Sequence, residues 1–237
     1  MSWLRDPSFD RAGISHGFGT RGAPPPAGLL RPRQVHGSRV IRLSSVSVAD
    51  WQGGLLGEAD AIVSAAPGLP VGVVTADCVP ILVGTPSGRV AAVHAGWRGL
   101  AAGVIAAAID ALAEIAPDAD AAFAAIGPHV GPGCYEVDAP VVDALAPRFG
   151  DALAAALGAT RPGHWQLDLG ALARCALERA GIAASRIRAL DGVCTACDRE
   201  RFHSFRRDGP NAGRLFHFAV ARPSVAHPGR ARAGACT

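Results

Sequence analysis

The sequence contains no lysine, so all 23 of its basic residues are arginines. Aromatic residues make up only 5% of the chain and charged residues only 18%. Because 49% of the residues are hydrophobic, this low charge excludes a largely disordered protein. The formal net charge of +3 is scattered along the sequence and is too small to indicate a nucleic-acid-binding protein.

Long apolar segments are also missing. The longest apolar run, residues 100–109, is much shorter than the ~20 residues that a membrane-spanning helix needs. The first 11 residues contain no apolar stretch of the kind that a signal peptide carries. The six cysteines do not have the spacing of a disulfide framework. We therefore expect a cytoplasmic protein with reduced thiols and with neither a membrane nor a nucleic acid as partner.

A chain of 237 residues can form one domain with a substantial core. Strands are expected at 13–20, 34–43, 61–64, 71–74, 81–84, 89–94, 123–126, 186–190 and 215–221. Helices are expected at 100–115, 139–149, 152–157 and 169–180, and residues 44–58 are rich in turn formers. This mixture predicts a single α/β (α+β) domain with a mixed sheet over residues 1–222, followed by a disordered tail at 223–237.

The most informative feature is a set of three residues, His36, Cys78 and His94, in the strings RQVHG, VVTADCVP and VAAVHAGWRG. Each lies where a short apolar run ends, and strand ends can meet at one edge of a sheet. Two imidazoles and one thiolate would form an open zinc site whose fourth position is left to water or substrate. Taken singly, each residue is more often a structural one, a buried histidine or a small buried thiol, and the spacing matches no short zinc motif.

Two neighbours of these residues carry charges suited to catalysis. Asp77, beside Cys78, could orient a ligand, carry a proton or cap a turn. Arg98 follows His94 in the turn AGWRG and could hold a phosphate, although a plain strand-to-helix turn explains the same string.

Three further strings have both a functional and a structural interpretation. GPGCYEV (131–137) could form a pocket wall with Glu136 as proton carrier, or only a tight loop. FHSFRRDG (202–209) could bind an anion or close over the site, or it could form a solvated hairpin with ion pairs. The Cys194–Cys197 pair lacks the second pair of a zinc ribbon, and a structural loop is favoured over a redox motif.

Together these strings resemble the laccase-domain family, also called YfiH-like or multicopper-polyphenol-oxidase-like proteins. HGFGTRG, RQVHG, EADAIVS, TADCVPIL, VHAGWRG, GPGCYEV and FHSFRRDG carry the resemblance, which extends from about residue 13 to about 221. The family implies a four-layer α/β/β/α-type domain and a zinc centre at His36, Cys78 and His94. It also implies phosphorolysis of the purine nucleosides adenosine, inosine, guanosine and methylthioadenosine, and deamination of adenosine.

For deamination, a zinc-bound hydroxide would attack C6 of the purine while Asp77 or Glu136 moves the proton. For phosphorolysis, Arg98, Arg206 or Arg207 would hold the phosphate that attacks ribose C1′. The expected catalytic set is Asp77, Cys78, His94 and Arg98, with a purine nucleoside and phosphate as partners. The sequence indicates no particular oligomeric state.

Two departures from the family pattern concern the pocket rather than the metal. Residues 23–33 form a shorter connection than the family pattern has at this place, so one wall of the pocket would be missing or come from another chain. Gly133 stands where a second cysteine is expected before Cys134. Both bear on the range of substrates.

Four alternatives remain open. A copper polyphenol oxidase needs roughly ten histidines, and this chain has eight, so zinc is expected rather than copper. A metal-free hydrolase would use Cys78 as nucleophile and His94 as base. The others are a peptidoglycan-precursor amidase and a binding protein without catalysis.

Overall fold

The computed structural model describes residues 3–43 and 54–223. Its strands are β1 (His16–Phe18), β2 (Leu30–Arg33), β3 (Val40–Leu43), β4 (Gly54–Glu58), β5 (Ala61–Ser64), β6 (Pro70–Thr75), β7 (Val79–Gly84), β8 (Val90–Ala95), β9 (Phe123–Ile126), β10 (Glu136–Asp138), β11 (Leu157–Ala159), β12 (His164–Leu167), β13 (Ile187–Ala189) and β14 (Leu215–Val220). Its helices are α1 (Pro7–Arg11), α2 (Trp97–Ala102), α3 (Val104–Ala113), α4 (Ala139–Phe149), α5 (Asp151–Ala156), α6 (Leu169–Arg179) and α7 (Phe205–Asp208). None of these helices has the length and apolar character needed to cross a membrane.

Two mixed sheets form the body of the fold. One has six strands in the order β13-β9-β7-β8-β5-β3, and the other has five in the order β1-β14-β6-β2-β4. The strands β10, β12 and β11 form a separate small antiparallel sheet, in that order. The predicted fold class, a single α+β domain with mixed sheets, is confirmed.

Strands β7 and β8 are buried along their whole length because both faces of the six-stranded sheet are covered. Alternate residues such as Val63, Ile81 and Val93 belong to the core shared with helices α3 and α6. The intervening Ile62 and Leu82 belong to a second core, shared with the five-stranded sheet. This double cover explains why the sequence shows continuous apolar runs here instead of alternation.

The helix expected at 100–115 is wrong in its bounds, because the structure has two shorter helices that meet at Gly103. Gly103 has φ +85°, a left-handed conformation that glycine adopts readily and that ends α2 before α3 begins. The residues expected on its buried face, Leu100, Val104, Ala108 and Leu112, are all buried.

The strand expected at 34–43 is also wrong in its first half. Residues 34–39 form a loop between β2 and β3, and this loop carries His36 with φ +62°. Hydrogen bonds to a buried carboxylate hold the loop, and the apolar pattern gave no sign of them. Residues 54–58, expected to be a turn, form β4, whereas 44–53 lie outside the described residues.

Strands 61–64 and 123–126 match the prediction in full. No pattern in the sequence indicated the small sheet, because its strands are only three or four residues long and mostly half-exposed. The predicted disordered tail, apart from Pro223, lies outside the described residues.

Candidate active site

The structure brings His36, Cys78 and His94 together. Their donor atoms all lie within 4.8 Å of one another. The Sγ atom of Cys78 is 3.9 Å from Nε2 of His36, and the two imidazole rings meet edge to face with centroids 4.8 Å apart. A set of two nitrogens and one sulfur at this separation suits a divalent zinc ion.

The three residues come from the seam between the two large sheets. His36 lies in the loop from β2 of the five-stranded sheet to β3 of the six-stranded sheet. Cys78 lies in the connection from β6 to β7, which also passes from one sheet to the other. His94 is the fifth residue of β8 and lies opposite Pro80 of β7. The site therefore depends on the packing of one sheet against the other.

A buried carboxylate, Asp60, organises the site, and sequence reasoning missed it. Its Oδ1 atom is 2.8 Å from Nδ1 of His94 and accepts the backbone N–H of His36 at 2.9 Å. Its Oδ2 atom accepts the backbone N–H of Gly37 at 2.6 Å. A carboxylate on Nδ1 fixes the tautomer of a histidine and leaves Nε2 free to bind a metal. The sequence feature that could have indicated Asp60 is an acidic residue directly before the apolar strand β5, in EADAIVS.

Burial by itself raises the pKa of the Asp60 carboxyl, but the hydrogen bonds from His94 and the two amides outweigh it and lower that pKa below its usual value. Asp60 is therefore a fixed negative charge beneath His94. Its position explains both the orientation of the ring and the course of the loop that carries His36.

Two non-glycine residues in the described part of the chain have positive φ angles, and both lie at this site. They are His36 at +62° and Asp77 at +97°. Such conformations cost free energy for residues with a side chain and persist where surrounding contacts impose them. The hydrogen bond from the His36 backbone N–H to Asp60 holds His36 in this conformation. Asp77 is held by the hydrogen bonds that its carboxylate accepts from the Thr195 hydroxyl at 2.6 Å and from the Arg206 backbone N–H at 2.5 Å.

Gly96 follows His94 closely and allows two donor residues to approach the backbone. A Cβ atom at this position would lie 2.8 Å from Sγ of Cys78 and 3.2 Å from Cδ2 of His36. Since neither neighbour has room to retreat without moving its donor atom, the site requires glycine here. Steric crowding therefore explains why the first glycine of the string HAGWRG is a glycine.

The charges of Cys78 and His94 depend on each other. Burial alone raises the pKa of the Cys78 thiol, but His94 and His36 beside it lower that pKa to about 6. Burial likewise lowers the pKa of His94, but the Cys78 thiolate and Asp60 raise it to about 9. Near pH 7 and without a metal, these two residues form a thiolate–imidazolium pair. The thiolate is the form of cysteine that binds metal ions, so these residues fit the zinc that the sequence resemblance led us to expect.

A cavity of about 790 Å³ opens beside the three donors. Five arginines line it, namely Arg31, Arg33, Arg98, Arg206 and Arg214. Leu55, Trp97, Tyr135 and Phe205 supply its apolar and aromatic surface, and Asp77 also lines it. This volume suits a small organic molecule, and the positive lining suits an anionic one.

The predicted site residues do not all reach this cavity. Asp77 and Arg98 line it, and the Arg98 guanidinium lies 4.3 Å from the centre of the Trp97 ring. Arg206 also lines it and lies 5.0 Å from the centre of the Tyr135 ring. The sequence analysis missed Arg31 and Arg33. Their position in the string RPR, directly before QVHG with its candidate ligand, could have indicated that they lie at the site.

Two of the candidate residues that the sequence left open, Arg207 and Glu136, do not line this cavity. Arg207 does not line the cavity, because its guanidinium pairs with Asp208 at 2.7 Å and donates to the backbone carbonyls of Thr195 and Ala196. Glu136 does not line it either and forms an ion pair with Arg161 at 2.8 Å. Both side chains are occupied by structural contacts that a sequence pattern does not reveal.

Comparison with known proteins places these observations in a family. Residues 18–222 match the family model described as "Multi-copper polyphenol oxidoreductase laccase". The chain is 42% identical over 179 residues to a purine nucleoside phosphorylase of Xylella fastidiosa (strain 9a5c), a match that spans 74% of this chain. It spans 66% of the relative, just under two thirds of that protein's length.

Two further relatives agree with this match. The chain is 35% identical over 193 residues to "Adenosine deaminase RL5" from an unknown prokaryotic organism, across 79% of this chain and 73% of the relative. The crystal structure of the hypothetical protein YfiH from Bacillus licheniformis superposes with a TM-score of 0.83 at 25% identity, covering 93% of this chain and 97% of that one. The chain belongs to the multi-copper polyphenol oxidoreductase laccase family, to which its sequence showed a resemblance.

Proposed function

We propose that the protein is a zinc-dependent purine nucleoside phosphorylase, acting on adenosine, inosine, guanosine and methylthioadenosine, that also deaminates adenosine. The observation that carries this proposal is the position of His36, Cys78 and His94, whose donor atoms lie within 4.8 Å of one another beside an arginine-lined cavity. The names of the relatives, purine nucleoside phosphorylase and adenosine deaminase, support an enzyme of this kind. We place it in the cytoplasm, where the Cys78 thiol stays reduced.

His36, Cys78 and His94 would hold the zinc, with Asp60 fixing the ring of His94. When bound there, zinc supplies a Lewis acid that polarises a substrate atom and lowers the pKa of a bound water. Zinc is preferred over copper because two imidazoles and one thiolate are donors of the kind found in open zinc sites, whereas a multicopper oxidase needs roughly ten histidines and the chain has eight.

Arg98 is the first choice for holding phosphate. Its side chain is exposed at the cavity and forms no ion pair within the part of the chain that the structure describes. Arg33, by contrast, is paired with Glu58 at 2.7 Å. The planar guanidinium of Arg98 rests on Trp97, which limits its motion and leaves its N–H groups able to donate to two phosphate oxygens.

In phosphorolysis, a phosphate oxygen forms a bond to ribose C1′ while the bond from C1′ to the purine nitrogen breaks and its electron pair leaves with the base. The aromatic rings of Trp97, Tyr135 and Phe205 line the cavity and can stack on a purine. Holding both reactants in one site converts a reaction between two molecules into one within a complex, which lowers the barrier.

Asp77 is the residue that moves the proton. It lines the cavity next to Cys78, and its carboxylate is fixed by hydrogen bonds from Thr195 and Arg206. In deamination it accepts a proton from the attacking water and returns it to the departing amine. Glu136, the other candidate, is engaged by Arg161.

Incubation of the purified protein with adenosine, with and without inorganic phosphate, tests this proposal. Phosphorolysis gives adenine and ribose 1-phosphate only when phosphate is present, and deamination gives inosine under both conditions. Absence of all these products from a protein that contains zinc would contradict the proposal. Arg98→Ala should raise KM for phosphate and leave deamination largely unchanged, whereas Arg199→Ala, outside the cavity lining, serves as the matched control.

A further inference from the structure

A second group of potential metal ligands lies outside the cavity. The sulfur atoms of Cys134, Cys194 and Cys197 all lie within 4.8 Å of one another. The sulfurs of Cys134 and Cys197 are 3.1 Å apart, and all three cysteines are free thiols. The CxxC pair of the sequence therefore has a third thiol beside it, supplied by Cys134 from a loop far earlier in the chain.

The separations suit a shared metal ion. An ion bound at about 2.3 Å from each sulfur in tetrahedral geometry would hold the sulfurs roughly 3.8 Å apart. The sulfurs of Cys134 and Cys197 are closer than this value, at 3.1 Å, and no pair among the three sulfurs is more than 4.8 Å apart. A disulfide would need its two sulfurs at about 2.0 Å.

The backbone around Cys194 is arranged to support a thiolate. Its sulfur accepts the backbone N–H of Gly131 at 3.2 Å and that of Cys197 at 3.4 Å. Hydrogen bonds from backbone amides stabilise a negatively charged sulfur, and structural metal sites use loops of this kind. A Cβ atom on Gly131 would lie 3.3 Å from the same sulfur, so the close approach of the two loops favours glycine there.

We propose that Cys134, Cys194 and Cys197 form a second metal site, which binds a thiophilic cation with a filled d shell, Zn²⁺ or Cu⁺, through three thiolates. Soft thiolate ligands select such ions, and each thiol releases its proton as the ion binds. Within the described residues, no fourth His, Cys, Asp or Glu side chain joins the group. Cys197 is exposed, so water can reach an ion bound at the three sulfurs.

The position of the site gives the ion a structural role. Cys134 ends the 3-10 turn Pro132–Cys134, directly before Tyr135 of the cavity wall. Thr195 lies between the other two cysteines and donates its hydroxyl hydrogen to Asp77. An ion at the three sulfurs would therefore tie together the two segments that place Tyr135 and Asp77 at the cavity. It would act on the reaction through their positions and not through contact with substrate.

Metal analysis of cysteine variants tests this site separately from the one at Cys78. The protein and its variants are purified with a phosphine reductant, from cells grown with zinc and, in a second arm, with copper. Cys134→Ser and Cys197→Ser should each lose one equivalent of metal, whereas Cys175→Ser, with a half-buried thiol in α6, should keep the wild-type content. The metal that is lost, zinc or copper, identifies the occupant.

A second measurement does not depend on how well the Cys134 and Cys197 variants fold. Reduced, metal-free wild-type protein is titrated with Cd²⁺, and the absorbance of sulfur-to-cadmium charge transfer is followed. We expect Cys78→Ala to keep the larger part of this absorbance, since the second site has three sulfurs and the first has one. Unchanged metal content in Cys134→Ser and Cys197→Ser would overturn the proposal. So would a mass lower by two hydrogens in protein isolated anaerobically, because that result would show a disulfide between Cys134 and Cys197.

Discussion

At the scale of single residues, Asp60 links two of the three donor side chains. It binds the ring of His94 and the backbone of His36, so one buried carboxylate sets the geometry of both. A carboxylate in such a position raises the basicity of the histidine that binds the metal. The amide of asparagine would keep the size of the side chain but remove its charge and one of its acceptor atoms.

We expect Asp60→Asn to weaken zinc binding by about 10- to 100-fold, the usual effect of losing a carboxylate behind a metal-binding histidine. Competition with a coloured zinc chelator measures this change. Asp118→Asn is the matched control, because Asp118 also accepts a backbone N–H, that of Ser87, but lies elsewhere. Equal zinc affinities of Asp60→Asn and wild type would contradict the role given to Asp60.

The pKa of Cys78 gives a second prediction at this scale. In metal-free protein the thiol has a pKa of about 6, so its alkylation by iodoacetamide should rise with pH through a midpoint near 6 and level off above about pH 7. Below the midpoint the protonated thiol is unreactive. Peptide mass spectrometry follows Cys78 alone, and His94→Ala should move the midpoint upward by removing the positive charge. A midpoint near 9, the ordinary value of the thiol, would show that the pair with His94 does not form.

At the scale of elements, the site depends on loops whose course the sequence showed only in part. The ends of apolar runs predicted that His36, Cys78 and His94 would meet, and these residues do meet. The sequence did not predict the loop at 34–39, because the hydrogen bonds of Asp60 hold it against the preference for a strand. The third cysteine of the second cluster, Cys134, was missed for the same reason, since contact between distant loops leaves no local pattern.

The turn from β8 to α2 provides a prediction at this scale. We expect Gly96→Ala to lower kcat/KM by roughly 100-fold, because its Cβ would displace Sγ of Cys78 from a position 2.8 Å away. Steady-state kinetics and zinc content, measured together, separate loss of metal from loss of geometry. Gly133→Ala is the control, since a Cβ there meets no atom within 4 Å. Wild-type kinetics in Gly96→Ala would show that this turn has more room than the structure indicates.

At the scale of the whole molecule, the site lies where the chain passes between two sheets. The connections β2 to β3 and β6 to β7 both cross from the five-stranded to the six-stranded sheet, and they carry His36 and Cys78. Metal binding at these residues would therefore be linked to the packing of one sheet on the other. The short segment 23–33 does not remove the cavity, because Arg31 and Arg33 from this region line it. The fold class and the cluster of donors were predictable from the sequence, whereas the arginine lining depends on how the two sheets meet.

The zinc content of Cys78→Ala, measured beside its activity on adenosine and phosphate, tests the central claim most directly. We expect this variant to lose one equivalent of zinc relative to wild type, together with formation of adenine and of inosine, because removal of the thiolate leaves only two of the three ligands. Circular dichroism establishes that the variant is folded. A folded Cys78→Ala variant with wild-type zinc content and wild-type activity would contradict the assignment of His36, Cys78 and His94 as the metal centre.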